Sequence, residues 1–262
     1  MPYRIYAFVN KIETDYSHLF EIYLKEPVEL KFVSESHAIK LNILAEIACS
    51  QGKDEDYLMF IDGDAFPIVD LMPKVQEIVA NHQLMAVRRD ENNGDRQPHP
   101  SFAVTTVGFW KEIRGDWKPG YKWKNDSGQM VRDTGGNLLK IVENKKIDWH
   151  PILRTNKVNL HPVWFGVYGN MVYHHGAGFR TPLGRKDTQL LEKDFPLFGK
   201  FENLARNQRR IIRLLGRFLK IFYLNKNARK KNLDRVVKKN SRLSDEIFRK
   251  LETDENFWKQ FV

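Results

Sequence analysis

No disulfide can form within this chain, because Cys49 is its only cysteine. That suits a reducing cytosol better than a small secreted scaffold held by bridges. Cys49 closes the apolar-periodic stretch from Ile39 to Ile47 and reads as a small core residue. No run of about 20 apolar residues occurs, which leaves no membrane span to expect. No secretory leader pattern appears either. Internal repeats are absent. Acidic charge is in deficit, with 43 Lys and Arg against 33 Asp and Glu, for a net +10. The imbalance is local. Between Arg206 and Arg242, fourteen basic residues accompany one acid, Asp234, so that segment carries +13 and the remainder about −3.

The 262 residues suffice for one α/β domain with an appendage. Tyr3 to Val9 alternates as a first strand. Tyr16 to Leu24 carries a helical apolar pattern, and Glu29 to Val33 reads as a second strand ending at Ser34 to Ser36. An apolar-faced helix follows from His37 and stops near Gly52. Then come a strand at Leu58 to Ile61, a helix near 70–81, a strand at Leu84 to Val87, an exposed loop at 88–100 and a strand at Phe102 to Val107. Such alternation predicts a mostly parallel sheet with helices on both faces.

The most informative stretch is Tyr57-Leu-Met-Phe-Ile-Asp-Gly-Asp-Ala-Phe-Pro67. Its apolar run predicts a strand buried on both faces. Asp62 and Asp64 follow at its end, separated by a glycine that permits a sharp turn and close approach of a ligand. Adjacent hard carboxylates repel unless a cation lies between them, and oxygen ligands suit Mg²⁺ or Mn²⁺. A cation held there has open positions for diphosphate oxygens, beyond the strand ends where α/β sheets bind ligands.

The run Ser36-His-Ala-Ile-Lys-Leu-Asn42, followed by Phe60-Ile-Asp-Gly-Asp-Ala-Phe-Pro67, resembles the GT-A (Rossmann-like) fold of nucleotide-sugar glycosyltransferases. It is most similar to their large bacterial family, family 2-like, and the resemblance covers about residues 3 to 182. It implies a catalytic domain over 1–190, with a nucleotide-sugar half (1–100) and an acceptor half (101–190); the tail, a basic helical extension at 191–262, lies outside the resemblance. It further implies Mn²⁺ or Mg²⁺ and a UDP- or GDP-sugar donor, with Asp64 on the metal and Asp62 on the ribose or a metal-bound water. Asn10, Ser34 and Asn42 would flank the nucleotide. His37 reads as a helix cap or an exposed side chain.

Farther on, an aromatic-rich strand, Val163 to Tyr173, runs into His174-His-Gly-Ala-Gly-Phe-Arg180. Imidazole completes a Mn²⁺ site, and the planar fork of Arg180 matches phosphate oxygens. The resemblance places a metal-binding histidine here. Neighbouring strand residues face opposite ways, so one of His174 and His175 should reach the metal. His175, which precedes the glycine turn, is the preferred choice. Inverting transfer also needs a carboxylate base. The resemblance places it at Asp133, ahead of the helical run from Leu138, where a plain N-cap is the competing reading. Asp116 and Asp126 are reserves, in a loop whose Trp117, Tyr121 and Trp123 form either a sugar-stacking platform or a small core.

The C-terminal segment differs. Ile211-Ile212, Leu214-Leu215, Phe218-Leu219 and Phe222 recur at helical spacing between arginines and lysines. Such a basic amphipathic helix suits an anionic membrane surface, and so a peripheral position on the inner face with a lipid-linked or glycan acceptor. Packing of its apolar face on the catalytic body is the alternative. No stacking motif or recognition fold accompanies the charge, which disfavours nucleic acid. Two other phosphate-handling classes fit less well. An aspartyl-phosphate phosphatase wants its acids on the first strand, and a nucleotidyltransferase wants glycines where Val9-Asn-Lys-Ile-Glu-Thr14 has none. A non-catalytic basic adaptor remains as the contrast to an enzyme.

Overall fold

A computed structural model of the chain describes residues 3–9, 14–25, 33–91, 94–125, 128–157, 166–176, 242 and 245–262, with backbone alone at 33–36, 260 and 261. The chain falls into two compact units, Met1–Thr155 with Val167–His174, and Asn156–Gly166 with His175–Val262.

The first unit opens with β1 (Tyr6–Val9) and β2 (Ile22–Lys25), which pair in parallel with Tyr6 opposite Ile22. The helix expected over Tyr16 to Leu24 is therefore replaced by a 3-10 turn, Ser17–Leu19, and a strand. Ile22-Tyr-Leu24 favours the pleated surface, and pairing with β1 outweighs a helical spacing carried by few residues. The strand expected at 29–33 lies outside the described residues except for Val33, which instead begins α1 (Val33–Gln51). Along α1, Ala38, Leu41, Ala45 and Cys49 recur on one face and are buried, so the cysteine is a core residue.

Next come β3 (Tyr57–Ile61), β4 (Ala65–Pro67), α2 (Met72–Val79), β5 (Leu84–Val87), β6 (His99–Thr106) and α3 (Val107–Ile113). The short pair β7 (Trp123–Lys124) and β8 (Met130–Val131) precedes α4 (Gly136–Lys145), β9 (His150–Ile152), β10 (Gly166–Tyr168) and β11 (Val172–His174). The principal sheet has the order β3-β6-β5-β9, and a second has the order β10-β11-β4.

The fold is mixed α/β, but the expected mostly parallel sheet is not what forms. Strand β6 runs antiparallel to both β3 and β5, and within this sheet only β5 and β9 pair in parallel. Parallel neighbours need a crossover, usually helical, and the described residues of the 88–98 connection hold no helix, in keeping with an antiparallel return. Pairing along β5 shifts between Ala86 and Val87, next to Pro100, which has no N–H to give the ladder.

Alternation on the central strands feeds two cores. Leu84, Ala86 and Ala103 point to one, with α1, α3 and α4. Met85, Val87, Phe102 and Val104 point to the other, with α2, β10 and β11. On β3 only Leu58 and Phe60 are buried; Tyr57, Met59 and Ile61 are 37–39% exposed. The strand expected to be covered on both faces is covered on one. Trp117 and Trp123 are buried in the first core, with Trp117 packed on Phe60 and Trp110, so these indoles serve packing rather than a platform.

In the second unit a helix covers 245–253, with Ile247 buried, and a 3-10 turn spans Phe257–Phe261. Apart from Arg242, the basic segment 206–242 lies outside the described residues. Among those described, no helix is long and apolar enough to cross a membrane.

Candidate metal centre

Strand β3 delivers its acids to a tight turn in which Ala65 N–H donates to Asp62 O at 3.0 Å and Asp62 N–H to Ser101 O at 3.3 Å. Gly63 keeps an ordinary backbone φ, and a Cβ there would meet nothing within 4 Å. The turn thus does not demand glycine, and a side chain at this position would point into open space. Strand β4 then pairs antiparallel with β11, setting His174 opposite Ala65. That register brings His174 Nε2 to 3.4 Å from Asp64 Oδ1 and 3.8 Å from Asp62 Oδ2.

One ligand atom from each of Asp62, Asp64 and His174 lies within 4.8 Å of the other two. Two carboxylate oxygens and an imidazole nitrogen suit a divalent cation such as Mn²⁺ or Mg²⁺, and Asp64, 24% exposed, leaves a face open to solvent. The group contains one of the two adjacent histidines, as alternation along a strand requires, but it is His174 rather than the preferred His175. The antiparallel register decides this, because β11 ends at His174 and that residue sits beside the turn. His175 belongs to the second unit, where its ring meets Phe248 edge-on at 6.0 Å.

His37, read from sequence as a cap or an exposed side chain, is half exposed and yet places Nε2 2.9 Å from Asp62 Oδ1. The distance suits an ion pair when the ring is protonated, although Oδ1 has no hydrogen bond of good geometry. Burial pushes the Asp62 carboxyl up, but His37, His174 and Arg89 together outweigh it and hold the group below its ordinary value. Arg89, just after β5, went unnoticed in the sequence. Its Nη2 donates to Asp95 at 2.9 Å and to Asp133 at 3.1 Å. Burial works against its charge, yet the surrounding acids raise its basicity further. Beside it, Tyr168 donates to Glu91 at 2.6 Å, and burial with that acid pushes the phenol up. The rings of Tyr168 and His99 lie 6.4 and 6.0 Å from that of His174, so a polar wall adjoins the acids. Burial, then the Asp64 charge, also raises the Tyr173 phenol.

No family model, no curated protein and no solved structure matches this chain.

The other expected site residues are placed differently. Asp133 is not the cap of α4, whose N-cap is Gly135; it accepts from Thr134 N–H and pairs with Arg89. Asn42 donates to Asp116 at 2.6 Å and accepts from Trp117 N–H at 3.0 Å. Ser34 lies in the first turn of α1 instead of at a strand end, and its side chain is not described. Asn10, Asp126 and Arg180 fall outside the described residues.

Asp116 is a tether rather than a base. It also accepts from Asn137 at 2.7 Å and from Lys118 N–H at 2.9 Å, joining α1, α4 and the loop between. Burial pushes its carboxyl up, but the bonds from Asn137, Lys118 and Asn42 prevail and lower it. A carboxyl lowered in the folded state contributes stability above its unfolded pKa of about 3.9, and that contribution is lost as pH falls through the folded value. Asp116→Asn is therefore expected to cost about 1–3 kcal/mol at neutral pH. It should also flatten the fall in urea midpoint below pH 4. An equally steep fall in the variant would remove Asp116 from acid unfolding.

Proposed function

We propose that this chain is a metal-dependent glycosyltransferase that moves a sugar from a UDP- or GDP-sugar to a glycan or lipid-linked acceptor, with inversion. The observation that carries the reading is the convergence of Asp62, Asp64 and His174 at the end of β3. When bound there, Mn²⁺ or Mg²⁺ supplies positive charge that offsets the charge developing on the departing diphosphate. The resemblance of the Asp-Gly-Asp stretch to nucleotide-sugar enzymes supports the donor class.

Asp64, His174 and Asp62 would hold the cation in this proposal. His37 Nε2 stands 2.9 Å from Asp62 Oδ1. Asp133 takes the proton of the acceptor hydroxyl; its carboxylate is 38% exposed and is steadied by Arg89. Arg180 completes the diphosphate contacts and Asn10 the base pocket, both argued from sequence. The basic segment 206–242 would hold the enzyme at an anionic membrane surface near a lipid-linked acceptor.

Thermal unfolding with UDP, GDP, CMP and their sugars, each with and without Mn²⁺, tests the donor site. Ligand bound to the native state stabilises it by mass action, by roughly 2.7 kcal/mol at a hundred times Kd, and so raises the midpoint. The expected result is a shift that needs metal and nucleotide together. No shift with any nucleotide would favour a basic adaptor, in which the acids are dispensable. Retention of anomeric configuration in the product, or near wild-type turnover by Asp133→Asn, would remove Asp133 from its role.

A further inference from the structure

A cleft of about 460 Å³ opens between the C-terminal end of α4 and the chain that leaves β5. Its volume falls within the range of small-molecule sites, roughly 300–1,000 Å³. None of Asp62, Asp64 and His174 lines it. The floor is apolar, made of Leu139, Val142, Ile147 and Trp149. Leu139 and Val142 belong to the first core, and Ile147 and Trp149 pack against that core while remaining partly open.

The rim is polar and held in place from behind. Arg88 grips Asp90 by two bonds, Nε to Oδ1 at 2.8 Å and Nη2 to Oδ2 at 2.9 Å. Two of its five N–H donors are thereby used and the others are left over. Arg96 donates to Glu143 Oε1 at 2.9 Å, while Tyr121 OH donates to Oε2 at 3.1 Å. The Glu143 carboxylate is thus anchored through both oxygens, and each oxygen keeps a second lone pair. Lys146 and Asp148 finish the rim with one charge of each sign.

These charges nearly balance: Arg88 is paired with Asp90 and Arg96 with Glu143, while Lys146 and Asp148 are opposite in sign and Asp148 lies 3.4 Å from His82. A polyanion gains little from such a rim. An apolar ligand would strand several donors and acceptors against its surface, at a cost for each one desolvated. A ring with one apolar face and an edge of hydroxyls that both donate and accept satisfies every part of the cleft. Its C–H face lies on the Trp149 indole, and neighbouring hydroxyls bridge an arginine donor and a Glu143 oxygen.

We propose that this cleft is a saccharide-binding site for an uncharged sugar unit, separate from the metal centre and independent of metal. It goes beyond the donor reading and stands or falls apart from it.

Saturation-transfer NMR and titration calorimetry on the full chain in EDTA provide the test, with maltotetraose, cellotetraose, chitotetraose and hyaluronan tetrasaccharide as probes. At least one neutral tetrasaccharide is expected to bind. Its affinity should fall tenfold or more in Trp149→Ala and in Glu143→Gln, and stay unchanged in Asp64→Ala. Because Trp149 also packs on the core, the exposed Glu143→Gln carries the decision if Trp149→Ala unfolds. Binding by none of the neutral probes overturns the proposal. So does binding of hyaluronan alone, or neutral binding that Glu143→Gln leaves intact. Loss of binding in Asp64→Ala would assign the saccharide to the metal centre and equally overturn a separate site.

Discussion

Asp64→Ala is expected to weaken Mn²⁺ binding by at least about 100-fold and to abolish any metal-dependent nucleotide binding. Removing even an outer partner of a metal site typically costs 10–100-fold, and Asp64 is proposed as a direct ligand. Its Oδ1 is the carboxylate oxygen nearest His174 Nε2, at 3.4 Å, and without it the remaining pair offers one oxygen and one nitrogen. Titration calorimetry with MnCl₂ reads the effect directly. His174→Ala should approach the same loss, whereas His175→Ala should leave Mn²⁺ affinity within a few-fold of wild type. Wild-type affinity should also fall as pH drops, because protons compete for the imidazole and the carboxylates. Equal Mn²⁺ binding by wild type and Asp64→Ala would show that the three side chains meet for another reason.

The second large effect concerns stability. Arg89→Met is expected to cost about 3–5 kcal/mol, because it removes the guanidinium from the Asp95 carboxylate, which is 1% exposed. For a chain of this size that corresponds to a fall of about 10 °C in Tm. The cost arises from a charge stripped of its buried cation, so neutralising that charge should restore much of it. Arg89→Met combined with Asp95→Asn is therefore expected to melt above Arg89→Met alone. Such a recovery is the non-additivity that residues in contact show. Scanning calorimetry of the two variants decides the matter, and simple additivity would mean that Asp95 does not depend on Arg89. The same substitution removes the Arg89 partner of Asp133, so under the proposed function acceptor-side kinetics in any folded Arg89→Met protein should change with it.

Much of the site was legible because its signals are local. Four apolar residues ending in Asp-Gly-Asp announce a strand with carboxylates at its tip, and β3 ends at Ile61 as that pattern requires. The choice between His174 and His175 was not local. It depends on which residue faces β4, and register is set by pairing between segments far apart in the chain. His37 was read as bland because a lone histidine near a helix start carries no pattern; only packing of α1 against β3 brings it to Asp62. Arg89, Asp95 and His99 were hidden for a related reason. Their polar, proline-bearing stretch resembles an exposed loop, whereas ion pairing and hydrogen bonds allow Asp95 and His99 to be buried there. The start of the chain misled differently, since Tyr16 to Leu24 has a helical spacing too short to withstand pairing with β1.

The pairing of β4 with β11 also sets an order of events. Asp64 and His174 stand more than a hundred positions apart, and β11 is the last strand of the first unit. A polypeptide emerging from the ribosome carries both aspartates long before it carries the imidazole. Contacts of such wide sequence separation pay their loop-closure entropy first and are rewarded afterwards. During synthesis the chain therefore holds the two carboxylates of the group without its imidazole. If the group binds metal as proposed, a time-resolved Mn²⁺ signal in refolding is expected to follow the closing of the last strand of the first unit.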